Sequence, residues 1–394
     1  PSLEEEILQR LRQGGASSFI YIVPTKRKVR DLQREFLTQV ENGAAPEFSL
    51  FTFETLAARL FTFLCKPRHL VSRPIQAVLI LEAIRAVEHS LSYIRLHGRN
   101  RSLPPGTFRK IMDVIDGFKD SGVYPTVLID ELAHADVPEK AKLKDILAIY
   151  EKYEELLENR FVDVPGILKD VNTQWEIPRS EQLFRQHFAS CNAIFVSGFD
   201  EFSDPELTML HHLSEIQEIG TLVAFDFHPG NNEVFGHLKE NYQKLLDMRF
   251  TRQASVSEDR STFQSYIAEH LFLSHRMRDR FDCADRMTIV RGRDREHEVE
   301  LIAKLIKQLV REKPEQDLSK ICIAMHHPQT YTPLFREVFA EYGIPANITD
   351  RYHLNQSPFV VSLLSLFLVE EHNYRLVDIM RALSSPYCEF QHSG

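Results

Sequence analysis

The hydrophobic pattern of the chain begins with short apolar runs, each followed by a stretch whose apolar residues recur at helical spacing. The runs at 19–23 and 48–51 come early, and those at 193–196 and 221–226 follow after a long interval. Runs of this length are typical of buried strands, and the stretches after them are typical of helices with one buried face. Strands that alternate with helices predict an α/β fold with a parallel sheet.

The long interval has a helical pattern throughout, and it predicts an insertion in the first α/β domain. Further apolar runs, at 286–290, 321–325 and 344–348, alternate with helical stretches and predict a second α/β domain. The predicted boundaries are 1–65 and 188–285 for the two parts of the first domain, 66–187 for the helical insertion, 286–350 for the second domain and 351–394 for the start of a further helical insertion.

Composition narrows the class of protein. The chain has 394 residues, of which 43% are hydrophobic, and this is enough for two or three packed domains. No run approaches the ~18 to 20 apolar residues of a membrane helix, and the N-terminus lacks a signal-like region, so we expect a cytoplasmic protein without membrane contact. The five cysteines form no Cys-x-x-Cys pair, which indicates neither a disulfide framework nor a metal site.

A basic patch follows the first predicted strand, although the chain as a whole has a net charge of -9. Lys26, Arg27, Arg30 and Arg34 fall on one face of the predicted helix, away from its buried stripe. Such side chains neutralise phosphates, so this face is suited to nucleic acid. A solvated helix face is the alternative, and the sequence leaves both interpretations open.

The stretch 193–206 is predicted to form a central strand, a break at Gly198, an acidic turn and a helix that starts at Asp204. The turn contains Asp200 and Glu201. Acids at the carboxyl end of such a strand hold magnesium in nucleotide-hydrolysing folds. Two interpretations of this turn are open: Asp200 and Glu201 hold magnesium, or they lie on an acidic loop without metal.

Several local sequences, in this order along the chain, resemble those of AddB-type subunits of AddAB helicase–nucleases. They are YIVPT at 21–25, FTFETLA at 51–57, VSGFDEF at 196–202, the helix around Glu298, and YGIP at 342–345. The resemblance spans most of the chain. It implies two RecA-like parallel-sheet domains of superfamily 1 helicase type, the first with a helical insertion.

The resemblance also implies roles for individual residues. The residues that would contact single-stranded DNA are Thr25, Lys26, Arg27, Arg30, Arg34, Thr52, Phe53 and Arg59. Phe53 would offer a stacking face to a base, and burial in the core is the alternative for it. The residues of a degenerate magnesium and ATP site would be Ser197, Gly198, Asp200, Glu201 and His326.

The resemblance implies that this site has lost its catalytic set. Ser197 and Gly198 stand where active helicases have an Asp-Glu pair, and His326 stands where they have an arginine. A neutral imidazole does not replace a guanidinium group. The sequence also contains no Gly-rich loop that ends in Gly-Lys-Ser/Thr. No catalytic residue is therefore predicted in this chain.

The implied function is a non-hydrolysing module that binds and guides single-stranded DNA and scaffolds a heterodimer with an AddA-type helicase–nuclease subunit. That complex would be an ATP-dependent helicase and exodeoxyribonuclease that acts in double-strand-break repair by recombination. We expect the chain to lack a short N-terminal piece and a C-terminal nuclease domain, and an iron–sulfur cluster and magnesium are expected only in that domain. The alternatives are a divergent ATP-dependent helicase that uses Asp200 and Glu201, and a protein-interaction scaffold without DNA binding.

Overall fold

In the computed structural model the chain divides into two units, Pro1–Phe281 and Asp282–Gly394. The residues that the structure describes are 3–13, 15–39, 48–96, 103–134, 140–253, 262–273, 286–315, 317–348, 354 and 357–387. Among these residues, no helix combines the length and the apolar character needed to cross a membrane.

Parallel strands form two sheets in the first unit. The described strands are β1 (Phe19–Ile22), β2 (Leu50–Phe51), β3 (His69–Leu70), β4 (Phe161–Val162), β5 (Ala193–Val196) and β6 (Gly220–Val223). The central sheet has the strand order β2-β1-β5-β6, and β3 pairs with β4 in a small second sheet. The prediction of an α/β fold with parallel strands is therefore confirmed.

The two middle strands, β1 and β5, are buried along their whole length. Their side chains alternate between two apolar cores, with Ile20 and Ile194 in one core and Phe19 and Phe195 in the other. The rings of Phe19 and Phe195 meet edge to face, with centroids 5.8 Å apart. Because both faces of the sheet are covered, each of these strands appears in the sequence as an uninterrupted apolar run.

Helices cover the central sheet and build the insertion. The helices of the first unit are α1 (Leu3–Arg12), α2 (Lys26–Gln39), α3 (Phe53–Leu64), α4 (Arg73–Val87), α5 (Pro105–Asp120), α6 (Pro125–His134), α7 (Lys140–Leu157), α8 (Val164–Trp175), α9 (Arg179–His187), α10 (Asp204–Ser214), α11 (Asn232–Phe235), α12 (Lys239–Asp247) and α13 (Thr262–His270). Leu11 of α1 and Phe36 of α2 belong to one core, and Leu60 of α3 and Leu210 of α10 belong to the other. Helix α8 packs on both α3 and α10, and it joins the helical insertion to the sheet.

The insertion is not purely helical, which corrects the prediction from its pattern. Strands β3 and β4 both lie inside it and pair with each other, so that His69 stands opposite Phe161. Strands of two residues are too short to produce a periodic signal in the sequence. Around them, α4, α5 and α7 pack on a separate apolar core that includes Ile84, Ile115 and Tyr150.

A buried charged cluster links α5, α7 and α8. The ammonium group of Lys119 is buried and lies 2.7 Å from a carboxylate oxygen of Asp163. Lys119 also pairs with Glu154, and the Tyr153 hydroxyl donates to Asp163 at 2.9 Å. Asp163 in turn caps α8, because it accepts a hydrogen bond from the Gly166 amide at 2.9 Å. The buried charges are thus paired and hydrogen-bonded, as charges in a protein interior must be.

An aromatic contact joins α8 to α10. Trp175, the only tryptophan in the sequence, stacks on the imidazole of His212 with ring centroids 6.0 Å apart. Burial lowers the pKa of His212 below its ordinary value, and the neighbouring His211 lowers it further, while Glu176 acts in the opposite direction. His212 is therefore neutral at pH 7.

The regular secondary structure of the second unit, in its described residues, consists of helices. Its helices are α14 (Arg295–Glu312), α15 (Pro328–Glu341), α16 (Pro358–Glu371) and α17 (Leu376–Leu383). Helices α14 and α15 share a core that includes Val299, Phe335 and Phe339. The Tyr331 hydroxyl donates to the Glu298 carboxylate at 2.7 Å and ties the same two helices together.

The three strands predicted for this unit are wrong, because none of the three runs forms a strand. Residues 286–290 are exposed, while 321–325 and 344–348 pack apolar side chains against α14 and α15. The Ile344 amide donates to the Phe339 carbonyl oxygen at 2.8 Å and closes the end of α15. In the last two runs, the apolar residues serve helix packing and not strand pairing.

Lys119→Met should lower the free energy of unfolding by about 3–5 kcal/mol, because Asp163 and Glu154 lose their buried cation. Urea unfolding monitored by circular dichroism measures the change. Lys152→Met is the matched control, since Lys152 pairs with the exposed Glu155, and the loss there should be about 0–1 kcal/mol. Equal losses in the two variants would contradict a structural role for the buried cluster.

Acidification should quench the fluorescence of Trp175 in a step centred below pH 6.5, because imidazolium quenches a stacked indole more strongly than neutral imidazole. The folded state binds fewer protons than the unfolded state in this window, so stability should fall as the pH falls through it. His212→Gln should abolish the step and reduce the pH dependence of unfolding, whereas the exposed His89→Gln should leave both unchanged. A step that persists in His212→Gln would contradict the assignment.

Candidate nucleic-acid interface

Loops meet where the parallel strands of the central sheet end. They follow β1 (residues 23–25), β2 (Thr52) and β5 (residues 197–203). Gly198 lies against Pro24, since a Cβ on Gly198 would stand 3.5 Å from the proline ring, and the rings of Phe53 and Phe199 lie 5.3 Å apart. We call these three loops, with the first turns of α2 and α3, the carboxyl edge. Open parallel sheets bind ligands at this edge.

The basic residues predicted to bind DNA lie on α2, which begins at the carboxyl edge. Those at least partly exposed on this helix are Lys26, Arg27, Arg30 and Arg34. The Lys26 side chain is 65% exposed, and its ammonium group lies 2.8 Å from the carboxylate of Glu54 on α3. The Arg27 guanidinium lies 3.9 Å from Asp31. The structure therefore brings the cationic side chains to a surface at the end of β1.

The first turn of α2 contains Lys26, Arg27 and Lys28 and no acid. Cations at a helix start oppose the helix dipole, and each lowers stability by about 0.3–1 kcal/mol. The Thr25 hydroxyl accepts a hydrogen bond from the Lys28 amide at 3.1 Å. Positive side chains and the amide groups of a helix start together form a favourable environment for an anion such as phosphate.

Thr52 and Phe53 contribute to the fold. The buried Thr52 hydroxyl accepts from the Thr55 amide at 3.2 Å, and the Thr55 hydroxyl accepts from the Thr52 amide at 2.8 Å, which caps α3 at its start. Phe53 is 2% exposed and packs against Phe199. Of the two interpretations of Phe53, burial in the core is confirmed and the stacking face for a base is wrong, because its ring fills the core. Arg59 is exposed on α3.

Ser197 and Gly198 occupy the first positions after β5. The Ser197 amide donates to the Ile22 carbonyl oxygen at 3.2 Å and continues the pairing with β1. Its hydroxyl lies 2.7 Å from the Tyr21 hydroxyl. Gly198 then turns the chain with φ at +79°, a left-handed conformation that favours glycine. A hydroxyl pair thus occupies the place that the resemblance assigns to a metal-binding acid.

Asp200 and Glu201 are exposed on the turn that follows. In the part of the chain that the structure describes, no group of three or more His, Cys, Asp and Glu side chains could hold a metal ion. His326 belongs to the second unit, where its ring is exposed and lies 4.5 Å from the ring of His327. The degenerate nucleotide site stays a prediction for these three residues.

Sequence reasoning did not predict two contacts at the carboxyl edge, Lys26 with Glu54 and Tyr21 with Ser197. An acid in the first turn of a capped helix is a recognisable signal, and Glu54 fits it. Its partner on another helix is not recognisable from the sequence, because that contact depends on how β1 and β2 pair.

The geometry defines a class of protein: a parallel α/β sheet whose carboxyl edge carries a cationic helix start and, after its central strand, a serine and a glycine. Residues 2–275 match the family described as ADDB, N-terminal. Because the match covers more than half of the chain, the chain belongs to the AddB family.

Curated relatives are named as a subunit of an ATP-dependent helicase/deoxyribonuclease. The chain is 22% identical over 400 residues to that of Thermoanaerobacter sp. (strain X514), and the match covers 97% of this chain and 34% of the relative. Identity to the protein of Caldanaerobacter subterraneus subsp. tengcongensis is 23% over 403 residues, and the match covers 97% of this chain and 33% of the relative. Identity to the protein of Staphylococcus aureus (strain MRSA252) is 22% over 397 residues, and the match covers 96% of this chain and 32% of the relative. The chain spans about one third of the length of these relatives.

Gly198→Ala should lower the free energy of unfolding by about 1–2 kcal/mol, because a residue with a Cβ is strained at a positive φ. A clash is not the cause, since the added Cβ would meet Pro24 at ordinary contact distance. Gly220→Ala is the matched control: a Cβ there meets nothing within 4 Å, and its φ is not positive. Urea unfolding of both variants should show a loss in Gly198→Ala alone, and equal values would contradict the strain argument.

Proposed function

We propose that this chain is a non-hydrolysing, helicase-like module that binds and guides single-stranded DNA within a helicase–nuclease complex. The observation that carries the proposal is the cationic start of α2 at the carboxyl edge, with no acid in its first turn. A protein with a net charge of -9 binds a polyanion only through a local surface of this kind.

The absence of ATP hydrolysis is part of the proposal. Magnesium-dependent hydrolysis needs a carboxylate directly after the central strand, and here Ser197 shares a hydrogen bond with the Tyr21 hydroxyl. Asp200 and Glu201 lie beyond the Gly198 turn, on the exposed surface. Without a carboxylate next to the strand, the carboxyl edge is suited to holding phosphates and not to cleaving them.

The assembly follows from the names of the relatives, each of which is called a subunit of an ATP-dependent helicase/deoxyribonuclease. We infer that the whole protein pairs with an AddA-type helicase–nuclease subunit and acts in DNA repair by recombination. An iron–sulfur cluster and nuclease magnesium would belong to parts outside these 394 residues.

We propose that the central sheet and its helices correspond to a RecA-like domain with a helical insertion. The parallel strand order and the ligand-binding position of the carboxyl edge support this. We assign the second unit to part of a second such domain. That assignment rests on the family resemblance alone.

Lys26→Ala with Arg27→Ala should weaken binding of a labelled oligothymidylate about tenfold at low salt, because two cations near the phosphates are lost. The slope of log K against log salt should become less steep by about 0.7–1.4, at roughly 0.7 for each phosphate contact that is lost in full. Fluorescence anisotropy over a series of salt concentrations measures both quantities.

The matched control is Arg109→Ala with Lys110→Ala, a pair of adjacent exposed cations on α5. It removes the same charge and should keep the wild-type slope. If both double variants lose affinity equally, the effect is one of net charge. If neither loses affinity, a scaffold without DNA binding at this edge is the better description.

A further inference from the structure

An acidic residue contacts the proposed DNA-binding surface. The carboxylate of Glu54, in the first turn of α3, lies 2.8 Å from the ammonium group of Lys26, in the first turn of α2. The Glu54 side chain is 44% exposed, and that of Lys26 is more exposed still. The pair therefore stands at the surface, across the gap between two neighbouring helix starts.

We propose that Glu54 acts as an internal substitute for a backbone phosphate, which the DNA strand displaces when it binds. Glu54 would thus set the affinity and the salt dependence of the carboxyl edge. This inference rests on the proposed function. A carboxylate and a phosphate both accept hydrogen bonds from an ammonium group, so the two compete for Lys26.

The position of Glu54 is fixed by the fold. On its N-terminal side, Phe53 is anchored in the core, and Thr52 caps the helix through its mutual hydrogen bonds with Thr55. The start of α3 also favours an acid there, because the helix dipole is positive at that end. The backbone of Glu54 is therefore fixed at the start of α3, within reach of Lys26.

The exposure of the pair makes displacement easy. Exposed ion pairs contribute little to stability, since water screens them and both long side chains lose freedom. A strand that meets Lys26 also meets the exposed Arg30 and Arg34, which follow at successive turns of α2, about 6 Å apart along the helix axis. A chain of phosphates gains all of these contacts, whereas an isolated phosphate must displace Glu54 for one contact. The pair thus favours extended strands over single nucleotides.

Glu54→Gln tests the inference, because it keeps the shape of the side chain and removes its charge. Binding of a labelled oligothymidylate should become about threefold tighter at low salt, with a slope of log K against log salt steeper by about 0.7, since Lys26 then neutralises a phosphate in full. Glu155→Gln is the matched control: Glu155 is exposed and pairs with Lys152 at 2.6 Å, so it makes the same change of net charge elsewhere. It should leave the slope unchanged.

A double-mutant cycle isolates the pair from other effects. In a Lys26→Ala background, Glu54→Gln should have a smaller effect on affinity, because the ammonium group for which carboxylate and phosphate compete is gone and only the direct repulsion between Glu54 and the phosphates is relieved. Urea unfolding of each variant checks that α3 keeps its stability.

The outcomes separate this inference from the proposed function. If wild-type binding depends on Lys26 but Glu54→Gln behaves like Glu155→Gln, the proposal that the Glu54 carboxylate takes the place of a phosphate is wrong. The proposed DNA-binding surface would still be supported in that case. Weaker binding by Glu54→Gln would also overturn it, since Glu54 would then hold Lys26 in place for DNA. If binding does not depend on Lys26 at all, the proposed function fails and this inference fails with it.

Discussion

One buried carboxylate, that of Asp163, joins α8 to α5 and α7 within the helical insertion. It pairs with Lys119, accepts a hydrogen bond from Tyr153 and caps α8, the helix that packs on both α3 and α10. A buried ion pair adds little net stability compared with apolar residues of the same volume. We infer that its contribution here is to orientation, because it fixes the start of α8 relative to α5 and α7.

The carboxyl edge combines a stable framework with an unfavourable local charge. Tyr21, Ser197 and the capped start of α3 hold the loops in place through hydrogen bonds. The cations at the start of α2 oppose the dipole of their own helix, so local stability does not explain their position. The anion binding proposed above would account for it. A surface that the fold alone would not favour is thus a better sign of function than the acidic turn at Asp200 and Glu201, which lies on the exposed surface.

Burial patterns decided how much of this structure could be predicted from the sequence. The runs that became β1 and β5 are apolar because both faces of the sheet are covered, and the prediction of parallel strands followed from them. The same signal failed near Ile323 and Ile344, where apolar residues pack on helices, since an apolar run does not reveal its partner. The basic face of α2 was predictable from helical periodicity. Its contact with Glu54 was not, because it depends on the pairing of distant segments.

The pairing of β1 with β5 also governs how the chain can fold. Phe19 stands opposite Ala193, so β1 gains its central neighbour only after about 170 intervening residues have been drawn together. The insertion between them has its own core and can collapse from contacts that are closer in sequence. Formation of the insertion shortens the loop that remains to be closed. The entropic cost of closing that loop is therefore smaller. We infer that the helical insertion assists the pairing of β1 with β5, because its own core brings the two ends of the intervening segment closer together.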